Sequence, residues 1–292
     1  MHADHHYEIG TSHQACEDYA ISGSHNGLSY ALVSDGCSSS KNTDVGARIL
    51  CHIGKNALQY LYQQGSLWDG PYVKEMFPTI FQGLVVMKAL EARVSLGLDY
   101  NAFDATLLVA FAAERPGYNP AWGHTMFGDG VIVQRYGQQN NNRRIFAISY
   151  TSNAPYYLSY AMSREKYDGY FWSFGDHKRR VYSVLVEDGE QDYNEASSDQ
   201  LDPMIYPAHH ESFGPSLVFP TQISLFSDGI GSLTTQDGKP AMTDITAAQN
   251  CTAYKNTVGE FVRRRMRAFS KECASAGFSH YDDLACAAVH LE

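Results

Sequence analysis

The chain has 292 residues, 44% of them apolar and 18% charged, with a formal net charge of −10. Such a composition supports a real hydrophobic core, and the acidic balance excludes nonspecific binding to nucleic acid or anionic lipid as the main role. No run approaches the roughly 20 apolar residues of a membrane span, and the polar start Met1-His2-Ala3-Asp4-His5-His6 has no signal-peptide core. Cys16, Cys37, Cys51, Cys251, Cys273 and Cys286 show neither a C-x-x-C pair nor zinc-like spacing. They read as reduced, mostly buried thiols of a cytoplasmic protein.

In chain order, residues 7–34 read as a strand pair and a third strand, separated by the turn Ser22-Gly23-Ser24-His25-Asn26-Gly27. Asn26-Gly27 is the hairpin signal in it. A helix follows, with Thr43-Asp44 as cap candidates and Val45, Ile49, Ile53, Ala57 and Leu61 as its apolar face. Residues 72–96 form a second helical region, expected to be interrupted at Pro78. Strands are expected at 105–113, 131–135, 145–150 and 181–186. Residues 187–220 are acidic and contain proline, and they read as an irregular, flap-like loop. Thr257-Val258-Gly259-Glu260 has the form of a capping box. It opens a helix with Val258, Phe261, Val262, Met266 and Phe269 on its apolar face, and the last strand spans 284–291. The order suits a sheet sandwich covered by helices better than a regular βαβ alternation.

Two apolar runs end alike. Ala31-Leu32-Val33 leads into Ser34-Asp35-Gly36, and Ile223-Ser224-Leu225-Phe226 into Ser227-Asp228-Gly229. A short apolar run stopped by Asp-Gly is a buried strand ending in a turn, with the carboxylate at the mouth of the sheet. Glu17-Asp18, Gly128-Asp129-Gly130 and Asp282-Asp283 also fall at strand edges. Any one of these alone is an ordinary turn. Gathered at one sheet end, the carboxylates would repel each other unless protonated or neutralised by cations. All-oxygen donors with no His/Cys pattern favour Mg²⁺ or Mn²⁺ over zinc.

Gly10-Thr11-Ser12-His13 followed by Cys16-Glu17-Asp18, then Asp35-Gly36-Cys37-Ser38-Ser39-Ser40-Lys41 running on to Asp44-Val45-Gly46-Ala47-Arg48, form the first part of a longer pattern. Ala105-Thr106-Leu107-Leu108, Gly128-Asp129-Gly130, Ser227-Asp228-Gly229 and Asp282-Asp283 continue it. In this order the motifs resemble the metal-dependent protein phosphatases of the protein phosphatase 2C type, especially a bacterial subgroup. The resemblance runs from residue 9 to 291, with a weak patch over 160–220. It implies one domain over residues 1–292 of the α+β class: a central antiparallel β-sandwich with helices on both outer faces, in four αββα layers.

The resemblance also implies two Mg²⁺ or Mn²⁺ ions at one end of the sandwich. Asp35 would bridge them, and the Gly36 carbonyl would bind one. Asp228 and Asp282 would complete the other, with Glu17 and Asp18 acting directly or through water. Asp129 would fit a weaker third-metal position. The implied reaction is hydrolysis of phosphoserine or phosphothreonine by a metal-bridging water, with no phosphoenzyme. The implied setting is a monomeric signalling enzyme that reverses a bacterial Ser/Thr kinase. The chain also departs from the pattern. His13 stands where many relatives have a phosphate-gripping Arg, and it becomes a candidate acid for the leaving alkoxide. Cys37 replaces the His of the eukaryotic-type loop, Ser232 replaces a second Asp and puts the third ion in question, and Ala285 replaces a small hydroxyl residue.

Arg263-Arg264-Arg265 with Arg267 reads as a solvated helix face, and His5-His6 and His209-His210 as surface pairs. Cys37 reads as a packing residue. The cysteine phosphate loop, Walker A loop, G-x-S-x-G elbow and H-E-x-x-H motif are all missing from the sequence. Two alternatives stay open beside a protein phosphatase. One is a catalytically impaired pseudophosphatase that binds phosphoproteins; the other is a phosphatase for a small metabolite.

Overall fold

The computed structural model describes residues 1–68, 70–137, 142–150, 153–174, 179–187, 190–198, 209–213 and 219–291. The strands are, in order, β1 (His2–Glu8), β2 (Tyr19–His25), β3 (Leu28–Ser34), β4 (Leu107–Ala113), β5 (Ala121–Phe127), β6 (Gly130–Tyr136) and β7 (Arg143–Tyr150). They continue as β8 (Arg179–Glu187), β9 (Glu190–Ser198), β10 (His209–Phe213), β11 (Pro220–Phe226), β12 (Leu233–Thr235), β13 (Phe278–His280) and β14 (Leu284–His290). The helices are α1 (Thr43–Gln63), α2 (Gly70–Leu96), α3 (Leu158–Met162), α4 (Arg164–Phe174), α5 (Asp244–Cys251) and α6 (Phe261–Ser275). One sheet runs β1-β14-β11-β6-β7-β8-β9 and the other β10-β5-β4-β3-β2, with β12 and β13 as a separate ribbon. Neighbouring strands are antiparallel.

Side chains alternate across a strand, so each strand feeds two layers. Ala31, Val33, Leu108, Ala110 and Trp122 of the smaller sheet meet Ile132, Phe146, Ile223, Leu225, Ala287 and Val289 of the larger one between the sheets. The opposite set of the smaller sheet, Leu32, Leu107, Val109 and Phe111, packs under α1 and α2. Val131, Val133, Phe226, Cys286 and Ala288 of the larger sheet pack under α5 and α6. These layers form the antiparallel sandwich with outer helices that the sequence predicts. Among the described residues, no helix is long and apolar enough to cross a membrane.

Several local expectations are corrected. The polar N-terminus is β1, an edge strand paired with β14 over its whole length, and His5 Nδ1 lies 2.9 Å from Ser22 Oγ. Asn42, in the left-handed region at φ 61°, occupies the N-cap of α1, while Thr43 Oγ1 is used to donate to Glu17 Oε1 at 3.4 Å. The buried face of α1 is rotated from the predicted one. Gly46, Ala47, Leu50, Cys51, Gly54 and Leu58 face the sheet and Val45 is exposed, because small residues let the helix lie close.

Helix α2 continues through Pro78. An interior proline costs about 3 kcal/mol. Phe77 and Phe81 beside it are 4% and 0% exposed, and each buried side chain contributes roughly 1.5–3 kcal/mol, enough to hold the helix together. The Thr257 capping box does not form: α6 begins at Phe261, and Val258 is exposed. Strand β5 and helices α3, α4 and α5 lacked a clear periodic signal. Within 187–220, Glu190–Ser198 and His209–Phe213 are strands rather than irregular loop. The rest of that expected flap at 188–189, 199–208 and 214–218 lies outside the described residues.

Candidate metal centre

Antiparallel pairing collects the acidic strand ends. Tyr19 pairs with Ser34, so Asp18 and Asp35 flank one end of the β2–β3 pair. Phe226 pairs with both Cys286 and Val131, so Asp228, Asp282 and Asp129 leave the larger sheet at a shared edge. The serines of the two Ser-Asp-Gly ends lock these edges. Ser34 Oγ donates to the Thr106 carbonyl at 2.6 Å, and Thr106 Oγ1 accepts from the Asp35 amide at 3.0 Å. Ser227 Oγ accepts from the Ala285 amide at 2.9 Å. Both serines are fully buried, so each hydroxyl satisfies a backbone group that the strand end would otherwise leave unpaired.

Asp35 is the centre of the set. It lies within hydrogen-bonding reach of Asp18 on one side and Asp228 on the other. Burial, then the charges of those two neighbours, hold its carboxyl well above the usual range. Asp18 is 2% exposed, and burial pushes its carboxyl up to about 7. Asp129 is raised by burial and by Asp228, and Asp282 likewise, more mildly. The structure thus brings Asp18, Asp35 and Asp228 together, with Asp129 and Asp282 beside Asp228. Gly36 is buried next to Asp35 and bridges to Ala105. Glu17 lies at the margin: the groups acting on its carboxylate are His13, Asp283, Thr43 and Asp44.

Adjacent residues at a strand entry point in opposite directions, and this divides the Asp282-Asp283 pair. Asp282 stays partly exposed toward Asp228. Asp283 is 2% exposed and works as a clamp. Its Oδ1 accepts from the Gly10 amide at 2.7 Å and its Oδ2 from the Glu17 amide at 2.6 Å. Two glycines let the chain close around this pair. A Cβ on Gly10 would lie 2.2 Å from the Asp282 carbonyl carbon, and one on Gly229 only 1.7 Å from the Asp283 oxygen. His13 Nδ1 stands 3.0 Å from Asp283 Oδ2 and Nε2 3.5 Å from Asp282 Oδ1. The Asp283 hydrogen bond raises the pKa of the imidazole, which makes the charged form easier to hold.

Within the sequence motif Asp283 is only the neighbour of Asp282, with no role of its own. The signal was the doubled Asp at a strand start, where only one of two neighbours can face the cleft. Asp244 was also missed: it follows the N-cap Thr243 of α5 and is raised by burial. Together with Asp129, Asp228, Ser232, Thr243 and Asp282, it lines a cavity of about 670 Å³ that opens beside the carboxylates.

Among the described residues, no group of three or more His, Cys, Asp or Glu side chains stands as a ready cage for an ion. The fold provides instead a row of carboxylates, each next to another. Asp18 Oδ2 is buried with no hydrogen-bond partner, an arrangement that is costly unless a proton or cation satisfies the oxygen. Hard divalent cations retain waters and take only a few carboxylates, so an all-oxygen row of this kind fits Mg²⁺ or Mn²⁺.

Residues 7–156 match the family model described as Protein phosphatase 2C. Among solved structures, the chain is similar to a bacterial serine phosphatase at 10% identity and a TM-score of 0.51, with 99% of this chain and 97% of that one covered. It is also similar to the serine/threonine phosphatase Stp1 from Staphylococcus aureus, at 10% identity and a TM-score of 0.49 over 100% and 96% of the chains. The catalytic domain of the phosphatase PstP in complex with two manganese ions matches at 11% identity and a TM-score of 0.43, over 99% and 98%. At these identities the first of the three shows the fold. No curated protein matches the sequence.

Proposed function

The chain belongs to the protein phosphatase 2C family, and we propose that it is a Mg²⁺- or Mn²⁺-dependent phosphatase acting on phosphoserine and phosphothreonine in proteins. The supporting observation is the position of Asp35 between Asp18 and Asp228, where carboxylates from both sheets converge. Asp35, the Gly36 carbonyl, Asp228 and Asp282 would hold two ions, with Asp18 and Glu17 reaching them directly or through water. Asp129 would serve a third position. Bound there, the ions supply positive charge for phosphoryl oxygens and acidify water. The chain's own part is to place those charges and to exclude competing donors. Its whole length acts as one catalytic unit, a monomer, on the phosphorylated targets of a Ser/Thr kinase.

Release of phosphate from a phosphothreonine peptide in Mn²⁺ is the direct test, with complete loss expected on adding a chelator. Mn²⁺ binding without turnover would favour a non-catalytic phosphoprotein-binding role. Turnover of small monoesters alone would favour a metabolite phosphatase.

His13 is the proposed proton source for the leaving alkoxide. Its pairing with Asp283 favours the imidazolium, and its Nε2 stands 3.5 Å from Asp282 Oδ1. His13→Gln is expected to lower kcat about 10²-fold for a peptide substrate. The loss should be smaller for p-nitrophenyl phosphate, whose leaving group needs no proton. Equal losses on both substrates, or none on either, would remove the acid role.

A further inference from the structure

Helix α6 turns Val262, Met266, Phe269 and Cys273 to the core, and the positions between them carry cations. The sequence predicts Arg263-Arg264-Arg265 with Arg267 as one solvated face, and the structure divides them. Arg263 pairs with Glu260 at 2.9 Å. Arg264 donates to Asn256 Oδ1 and to the Val258 carbonyl, both at 2.8 Å, and so ties the segment ahead of α6 to the helix. Arg265 Nε donates to the Asn250 carbonyl in the last turn of α5 at 2.9 Å. Its two terminal nitrogens grip both oxygens of Glu272 at 2.7 and 2.8 Å.

These bonds shape a hollow of about 610 Å³ between α6 and residues 253–256, large enough for a few side chains of a ligand. Five cations line it: Lys255, Arg264, Arg265, Arg267 and Lys271. Glu272 is the one carboxylate among the described residues around it, and Arg265 takes both of its oxygens. The acceptors of Arg264 are an amide oxygen and a carbonyl, which satisfy its N–H groups and leave its charge uncompensated. Among the described residues, Lys255, Arg267 and Lys271 form no ion pair. Arg264, Arg267 and Lys271 are spaced three and four apart, so they follow one another along one face of the helix. Ala253 and Ala268 supply apolar wall between the charges.

A positive hollow therefore stands in a chain whose formal net charge is −10. Its field is screened beyond about 10 Å at 0.1 M salt, and the acidic remainder of the surface repels a long polyanion. A bilayer is flat and cannot enter a hollow, and a nucleic-acid duplex presents phosphates outside with its apolar bases stacked within. An extended acidic peptide fits both features. Its carboxylates can reach the cations while an apolar side chain among them covers the alanine wall.

We propose that this hollow is a docking site for an acidic segment of a partner protein, its Glu or Asp side chains pairing with Lys255, Arg264, Arg267 and Lys271 around an apolar residue. The hollow shares no lining residue with the cavity beside the metal centre, and the proposal does not depend on the phosphatase reading.

Fluorescence anisotropy tests it, with a labelled, unphosphorylated peptide of about ten Glu and Asp residues around two leucines titrated with the protein in chelator. The chelator keeps divalent ions from bridging the peptide to Asp35 and its neighbours. In Arg267→Glu/Lys271→Glu the dissociation constant is expected to rise about tenfold or more. In Arg267→Ala/Lys271→Ala it should rise by a smaller factor, since alanine removes attraction without adding repulsion. Both positions are exposed, so neither pair of changes touches the core. Lys88→Glu/Lys239→Glu makes the same change in net charge at other exposed positions and should bind as the wild type does. A wild type that does not bind the acidic peptide overturns the proposal. So does unchanged binding in Arg267→Glu/Lys271→Glu, or an equal loss in Lys88→Glu/Lys239→Glu. A single-stranded oligonucleotide or a phosphatidylserine vesicle that binds at least as tightly through Arg267 and Lys271 overturns it as well, because the hollow would then select phosphate over an acidic peptide.

Discussion

Replacement of Asp35 by Asn is expected to abolish turnover while making the metal-free fold more stable. Asp35 has Asp18 and Asp228 within hydrogen-bonding reach, and burial and both charges oppose its ionisation. Asn keeps the size, can donate to both neighbours, and removes the charge that the interior resists. The expected gain is about 1–3 kcal/mol near neutral pH. Because a chain of this size moves roughly 2–4 °C per kcal/mol, the melting temperature in chelator should rise by a few degrees. The same change removes the central oxygen donor of the proposed ion pair. Hydrolysis should then fall by about 10³-fold or more, and added Mn²⁺ should no longer raise the melting temperature. Melting curves with chelator and with Mn²⁺, run beside a peptide assay, read both effects. A variant that loses activity but is also destabilised would show that Asp35 holds the fold together instead of straining it.

The two Ser-Asp-Gly ends were legible in the sequence because each combines a hydrophobic run with a turn residue, two local signals that agree. The layers were legible for a similar reason: period-two strands and amphipathic helices need no long-range information. The face of α1 was less so, since glycine and alanine count little as hydrophobes, yet Gly46, Ala47 and Gly54 are what face the sheet. Pro78 misled because local propensity is outweighed by Phe77 and Phe81 in the core. Asp283 could not be separated from Asp282 by sequence alone. Which of two neighbouring carboxylates turns inward depends on the Gly10 and Glu17 amides, more than 260 positions away, that Asp283 accepts from.

The stability of the metal-free protein should fall as the solution becomes more alkaline, and divalent cations should reverse that fall. Asp18, Asp35 and Asp129 have folded-state carboxyls held above the ordinary range, Asp18 at about 7. A group raised in this way contributes stability that is fully present below the unfolded carboxylate value near 4, and the contribution is lost as pH rises through the folded value. For Asp18 that loss accrues between about 4 and about 7 and is complete above it, and over the set it is on the order of a few kcal/mol. His5 and His280 act in the opposite sense. Burial lowers both, so their contribution is present above about 6.5 and fades in acid. Above about 6.5 the contribution of these two histidines is constant, and the remaining alkaline loss comes from Asp35 and Asp129, held well above the ordinary range, together with His13, which Asp283 raises. Mg²⁺ binds the ionised carboxylates and displaces their protons, so its affinity should climb over the same interval. At about a hundred times its dissociation constant it would restore about 2.7 kcal/mol. Differential scanning calorimetry at pH 6 and pH 8, with chelator or with Mg²⁺, should show the larger cation increment at pH 8. The metal-free slope should be flatter in Asp35→Asn. An increment equal at both pH values would mean that the cation binds away from these carboxylates, since no site built on protonated acids can take up an ion without releasing protons.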